Sequence, residues 1–110
     1  GNINAKRDWG HAKDYVKAMW LMLQQKKPLD FVIGTGKMHS VKDFAKHAFS
    51  IVGLDYKKYI KFKKNLLRPA EVDTLKANFN KAKKVLKWKP TVNFNQLVKE
   101  MVEEDLKFFK

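Results

Sequence analysis

SVKDFAKHAFSIVG, residues 40–53, is the stretch from which the fold can be read. Val41, Phe44, Ala45, Ala48, Phe49 and Val52 recur three, four, seven, eight and eleven residues after the first, the spacing of one face of a helix. Ser40 and Asp43 form a capping box with Asp in place of the usual Glu, and Gly53 ends the helix. Upstream, Phe31-Val32-Ile33 reads as a short buried strand that stops at Gly34, followed by the loop GTGKMH. A strand, a loop and an amphipathic helix in succession predict an α/β layer.

Further upstream, Tyr15, Val16, Met19, Trp20, Met22 and Leu23 predict a largely buried helix over about Ala12 to Gln25. Asp14 suits its positive end, and Lys26-Lys27-Pro28 stops it. Gly1 to Ala5 reads as the end of a strand. Downstream, Tyr59 to Phe62 alternates with Lys61 and Lys63 as a half-exposed strand would, and LLRPAEVDTL is extended about a turn at Pro69. Asn80 caps a short helix over Lys81 to Leu86, stopped by Trp88-Lys89-Pro90. The last helix runs from about Phe94 to Phe108, with Phe94, Leu97, Val98, Met101, Val102 and Leu106 inward and Glu103 paired with Lys107 outside. There is no repeat and no linker, so residues 1–110 are expected to form a single unit.

Composition narrows the function. The chain has 110 residues, 45% of them hydrophobic, which is a globular balance. It has no cysteine, which excludes disulfides and thiolate metal sites. The longest apolar run, Ala18 to Leu23, is far too short to span a bilayer. The formal charge of +13 suits a polyanionic partner, but the lysines are spread along the chain as on a solvated surface. The chain opens on Gly1 without an initiator Met and is expected to be processed or part of a longer protein.

Three motifs are decoys. Gly34-Thr35-Gly36-Lys37 resembles the end of a phosphate loop, but Phe31 and Met38 stand where that motif needs Gly and Ser or Thr. Tyr59 and Lys63 have the spacing of a proton-transfer pair only if they share a helix, and the segment reads as a strand. His11, His39 and His47 have no metal-ligand spacing; His11 reads as a structural hydrogen-bonding group. The three tryptophans read as core residues.

The arginines are more informative. Of 24 cationic side chains, only Arg7 and Arg68 are arginine. Guanidinium is a planar fork that grips a phosphate or carboxylate through two parallel N–H donors, which lysine cannot do. Glu71, three residues beyond Arg68, is an acceptor suited to the paired hydroxyls of a ribose. Phosphate and sugar together are what a nucleotide-sugar site must hold. The same residue types also allow Arg68 to pair with Glu71, or Arg7 with Asp8 or Asp14, and the sequence leaves both possibilities open.

At these residues a resemblance enters. KRDWGHAKDYV, LRPAEVD and KAKKVLKWKPTVNFNQLVKEMV resemble the C-terminal part of the GDP-mannose 4,6-dehydratases, within the extended short-chain dehydrogenase/reductase family. The resemblance spans essentially the whole chain. It implies the C-terminal substrate lobe of such an enzyme, with helices and a few short strands and with the Rossmann half absent. It assigns Arg7 and Arg68 to the GDP pyrophosphate and Glu71 to the ribose, and makes Asp8, His11 and Asp14 structural. It implies a cytoplasmic, NADP-dependent homodimer or homotetramer that oxidises GDP-D-mannose at C4, eliminates water across C5 and C6, and returns the hydride to C6. The product would be GDP-4-dehydro-6-deoxy-D-mannose, on the route to GDP-fucose. No catalytic, cofactor-binding or metal residue is expected in this chain, which alone should be inactive and should expose apolar surface where the other half packs. Leu67, where an aromatic is expected, and Asn78-Phe79, where a Gly-Asp turn is common, depart from the pattern. The alternatives are a lobe of another nucleotide-sugar epimerase or dehydratase, and a basic nucleic-acid-binding module. The scarcity of arginine speaks against the last.

Overall fold

A computed structural model describes residues 1–109. Four helices, α1 (Ala12–Leu23), α2 (Val41–Ile51), α3 (Asn80–Val85) and α4 (Phe94–Phe108), surround a two-stranded antiparallel ladder of β1 (Lys6–Arg7) and β2 (His39–Ser40). Lys6 opposes Ser40 and Arg7 opposes His39. On its other side Lys6 bridges to Thr74 in parallel, donating from its N–H to Asp73 O at 2.7 Å and accepting from Leu75 N at 3.1 Å. Residues 73–75 are thereby fixed beside β1. The architecture is α/β.

The helix ends follow from local chemistry. Ser40 and Asp43 make the expected reciprocal cap of α2, at 3.0 and 3.1 Å. Two further amides at the start of α2, those of Val41 and Lys42, donate to Ala5 and Ile3 carbonyls, so its orphan donors anchor the N-terminal segment. Helix α4 carries a second capping box, Asn93 with Gln96, which the sequence reading did not identify. Asn80 is the first residue of α3 rather than its cap, and its amide donates to Asn78 Oδ1 instead. On α4, Lys107 pairs with Glu104 at 3.1 Å and Glu103 with Lys99 at 3.9 Å, not Glu103 with Lys107.

Three strand expectations are corrected. The ladder takes Lys6–Arg7 rather than residues 1–5. Phe31–Ile33 is not a strand, because no neighbour among the described residues completes a ladder with it; Phe31 and Ile33 still pack on the core while Val32 is exposed. Residues 59–62 run between two single 3₁₀ turns, Tyr56–Lys58 and Lys64–Leu66, again without a strand partner.

The core is thin. Ala18, Ala82, Leu86 and Trp88 form its buried centre, with Tyr15, Met22, Phe31 and Phe79 against it. A second cluster joins β2, α2 and α4: the His39 ring stacks on Phe94 at 3.8 Å, and Phe44 lies between Phe94 and Trp9. The chain measures 52 × 37 × 19 Å, and its radius of gyration of 16.7 Å exceeds the ~13 Å of a compact chain this long. A slab this flat cannot cover both sides of its helices. Only one side of α1, through Asp14 and Ala18, is buried; Val16, Met19, Trp20 and Leu23 are 58–82% exposed. The expectation of a largely buried α1 therefore fails, and Trp20 is not a core residue. No helix among the described residues is long and apolar enough to cross a membrane.

Candidate functional site

Arg7 ends β1, and the residue after it anchors that end of the strand. The Asp8 carboxylate accepts from Thr35 N at 2.8 Å and Thr35 Oγ1 at 2.6 Å through one oxygen, and from Gly36 N at 2.8 Å and Ala77 N at 3.2 Å through the other. One side chain thus fastens β1, the 34–37 loop and the segment leading into α3. Burial opposes the charge on Asp8, but these hydrogen bonds outweigh it and hold its pKa below the usual aspartate value. The loop amides a phosphate would need are already committed, so Gly34-Thr35-Gly36-Lys37 is a packing corner. A Cβ on Gly34 would overlap the Ala77 methyl group, which explains the glycine.

Asp14 repeats the device at the start of α1. It accepts from Thr91 Oγ1 at 2.6 Å, Thr91 N at 2.9 Å and Val92 N at 3.2 Å, and its backbone carbonyl accepts from the buried Trp88 Nε1 at 2.8 Å. Here too burial is outweighed by the hydrogen bonds, and the pKa is lowered. Burial, with the charges of Asp8 and Asp14, pushes the Tyr15 hydroxyl up. His11 caps α1, its Nδ1 accepting from Lys13 N at 3.1 Å, while Nε2 meets Glu100 at 3.0 Å. Among the described residues no three His, Asp or Glu side chains are grouped to hold a metal. Tyr59 stacks on Phe49 in an irregular segment and shares no helix with Lys63.

Arg7, Arg68 and Glu71 line one cleft of about 420 Å³, walled also by Asn2, Ile3 and Leu66. Arg7 reaches it from the ladder; Arg68 and Glu71 come from the exposed segment between the second 3₁₀ turn and residues 73–75. Arg7 Nη1 donates to its neighbour's carbonyl, Lys6 O, at 2.8 Å, and Nη2 meets Glu71 Oε1 at 3.4 Å. The pairing is therefore neither Arg68 with Glu71 nor Arg7 with Asp8 or Asp14, because both aspartates are occupied by backbone donors. Arg68 has no ion-pair partner among the described residues. The sequence reading missed the Arg7–Glu71 contact and the role of Asp8 in joining three segments; both join residues far apart in the chain and neither has a local signal.

With this geometry in hand, comparison with known proteins is informative. Residues 1–101 match the family model described as GDP-mannose 4,6 dehydratase. The chain is 54% identical to GDP-mannose 4,6 dehydratase 1 of Arabidopsis thaliana and 44% identical to GDP-mannose 4,6 dehydratase of Homo sapiens. Both alignments cover all of this chain and 30% and 34% of the relative, so the chain spans about a third of their length. Among solved structures, UDP-glucose 4-epimerase of Thermotoga maritima, determined with UDP-glucose, superposes with a TM-score of 0.87 at 29% identity, over all of this chain and 34% of that one. A dTDP-glucose 4,6-dehydratase from Bacillus anthracis superposes with a TM-score of 0.85 at 22% identity over 97% of this chain and 33% of its own, a likeness of fold. The chain belongs to the GDP-mannose 4,6-dehydratase family.

Proposed function

We propose that this chain is the substrate lobe of a GDP-mannose 4,6-dehydratase, with Arg7 and Arg68 gripping the diphosphate of GDP-D-mannose and Glu71 accepting from its ribose hydroxyls. The observation that carries this reading is the convergence of the chain's two arginines, with one glutamate, on a single cleft. Its volume of about 420 Å³ lies at the small end of the ~300–1,000 Å³ of ligand sites and suits the phosphates and one sugar. The full enzyme would be a cytoplasmic, NADP-dependent lyase, a homodimer or homotetramer, acting before GDP-fucose. None of this chain's groups is assigned a step at the reacting carbons. Nor do its residues fit a dinucleotide, since the amides of Thr35 and Gly36 are committed to Asp8. NADP is assigned to the part of the enzyme that this chain does not span. The bare stripe of α1, Val16, Met19, Trp20 and Leu23, is a candidate surface for that part to cover.

Isothermal titration with GDP tests the assignment. Saturable binding is expected, weakened about tenfold or more by Arg68→Lys and by Arg7→Lys, because the ammonium keeps the charge and loses the fork. Unchanged affinity in both variants would overturn it. Because the Thermotoga maritima epimerase was determined with UDP-glucose, UDP and dTDP belong in the same titration. Equal binding of the three would move the assignment to another nucleotide-sugar enzyme.

A further inference from the structure

We infer that Glu71 makes the cleft selective for a nucleoside diphosphate over a free diphosphate anion, by exchanging its contact with Arg7 for bonds to a ribose. This rests on the assignment above and concerns how the site rejects the wrong anion. Arg7 spends one N–H on Lys6 O and one on Glu71. The second contact is long at 3.4 Å and uses a single carboxylate oxygen, far from the bidentate geometry of a strong pair. It is therefore a contact a better ligand can replace. An anion that takes the Arg7 fork releases the carboxylate, and the two partners are only 27% and 20% exposed, so water compensates the freed charge incompletely. Free pyrophosphate has no pair of ribose hydroxyls for the carboxylate and adds more negative charge beside it. A nucleoside diphosphate brings hydroxyl donors that re-pair it. The same displacement is thus opposed for one ligand and repaid for the other.

The test is titration of the unaltered chain, Glu71→Gln, Glu71→Asp, Arg7→Gln and the Arg7→Gln/Glu71→Gln double variant with inorganic pyrophosphate, GDP and 2′-deoxy-GDP. Circular dichroism would confirm folding. Glu71→Gln is expected to bind pyrophosphate about tenfold more tightly, and its preference for GDP over pyrophosphate is expected to fall at least tenfold. Glu71→Asp, which keeps the charge, should not show the gain. The unaltered chain should favour GDP over 2′-deoxy-GDP, and Glu71→Gln should not. In the Arg7→Gln background the pyrophosphate gain should vanish. A gain that persists there is simple charge repulsion and overturns the exchange. So does an unchanged preference in Glu71→Gln while GDP still binds. Failure of the unaltered chain to bind either GDP or pyrophosphate overturns the assignment of the cleft itself and the exchange with it.

Discussion

Replacing Asp8 and Asp14 in turn by asparagine separates two carboxylates that look alike in sequence. Each change keeps shape and removes charge, but the donors are arranged differently. In Asp14, one oxygen takes two backbone amides, Thr91 N and Val92 N, and the other takes only the Thr91 hydroxyl. An asparagine amide can stand toward that hydroxyl, which turns to accept. Asp14→Asn then loses only the strengthening due to charge, on the order of 1 kcal/mol. In Asp8, each oxygen takes at least one backbone amide: Thr35 N on one, Gly36 N and Ala77 N on the other. No orientation of asparagine avoids setting an NH₂ against a backbone N–H. Leaving that donor unpaired costs roughly 1–3 kcal/mol beyond the charge effect. Asp8→Asn should therefore destabilise by about 2–4 kcal/mol, and urea melts of the two variants should show it clearly less stable than Asp14→Asn. Because Asp8 anchors the strand end that carries Arg7, affinity for GDP should fall with it. If Asp14→Asn proves equally or more destabilising, the count of backbone donors is not what governs these sites.

Three further outcomes follow from the same geometry. Gly34→Ala should destabilise the fold by about 1–3 kcal/mol through overlap with the Ala77 methyl, and Ala77→Gly in the same chain should restore part of the loss; additive losses would contradict the contact. Lys87, directly after the α3 cap residue Leu86, has φ 57°, so Lys87→Gly should raise stability by ~1 kcal/mol in thermal melts, where most surface changes do nothing. Asp8, Asp14 and Asp43 all have folded pKa values below their ordinary ones, so their stabilisation is complete above the unfolded aspartate value of ~3.9 and is lost as pH falls through the folded values. Stability measured from pH 7 downward should thus hold to about pH 4 and then drop, and the drop should shrink in Asp14→Ala.

The helices were legible because their signals are local. The Ser40–Asp43 box and the apolar period of α2 lie within one segment, and so does the apolar period of α4, although its Asn93–Gln96 box, equally local, was passed over. What failed was what depends on a partner elsewhere. Phe31–Ile33 has the composition of a strand, but strandhood requires a neighbour. The stripe on α1 promised burial, but burial requires something to cover it. At the site, the residue types of Arg7, Arg68 and Glu71 were visible but left a ligand grip and internal ion pairs equally open, and only the family resemblance placed the three on one ligand; the contact between Arg7 and Glu71 spans 64 positions and has no sequence signal. Asp8 was read as structural from its place in a motif; that it gathers the amides of residues 35, 36 and 77 could be seen only in three dimensions.

The two walls of the cleft are built to different standards. Arg7 stands on a ladder strand locked by Asp8 and by residues 73–75, whereas residues 61–70, with Arg68 among them, are all solvent-exposed and make few hydrogen bonds. If the cleft takes the proposed diphosphate, one jaw is held in place before the ligand arrives, and the entropy of capture falls on the other. Engineering for tighter grip should accordingly leave β1 alone and stiffen the backbone on the approach to Pro69.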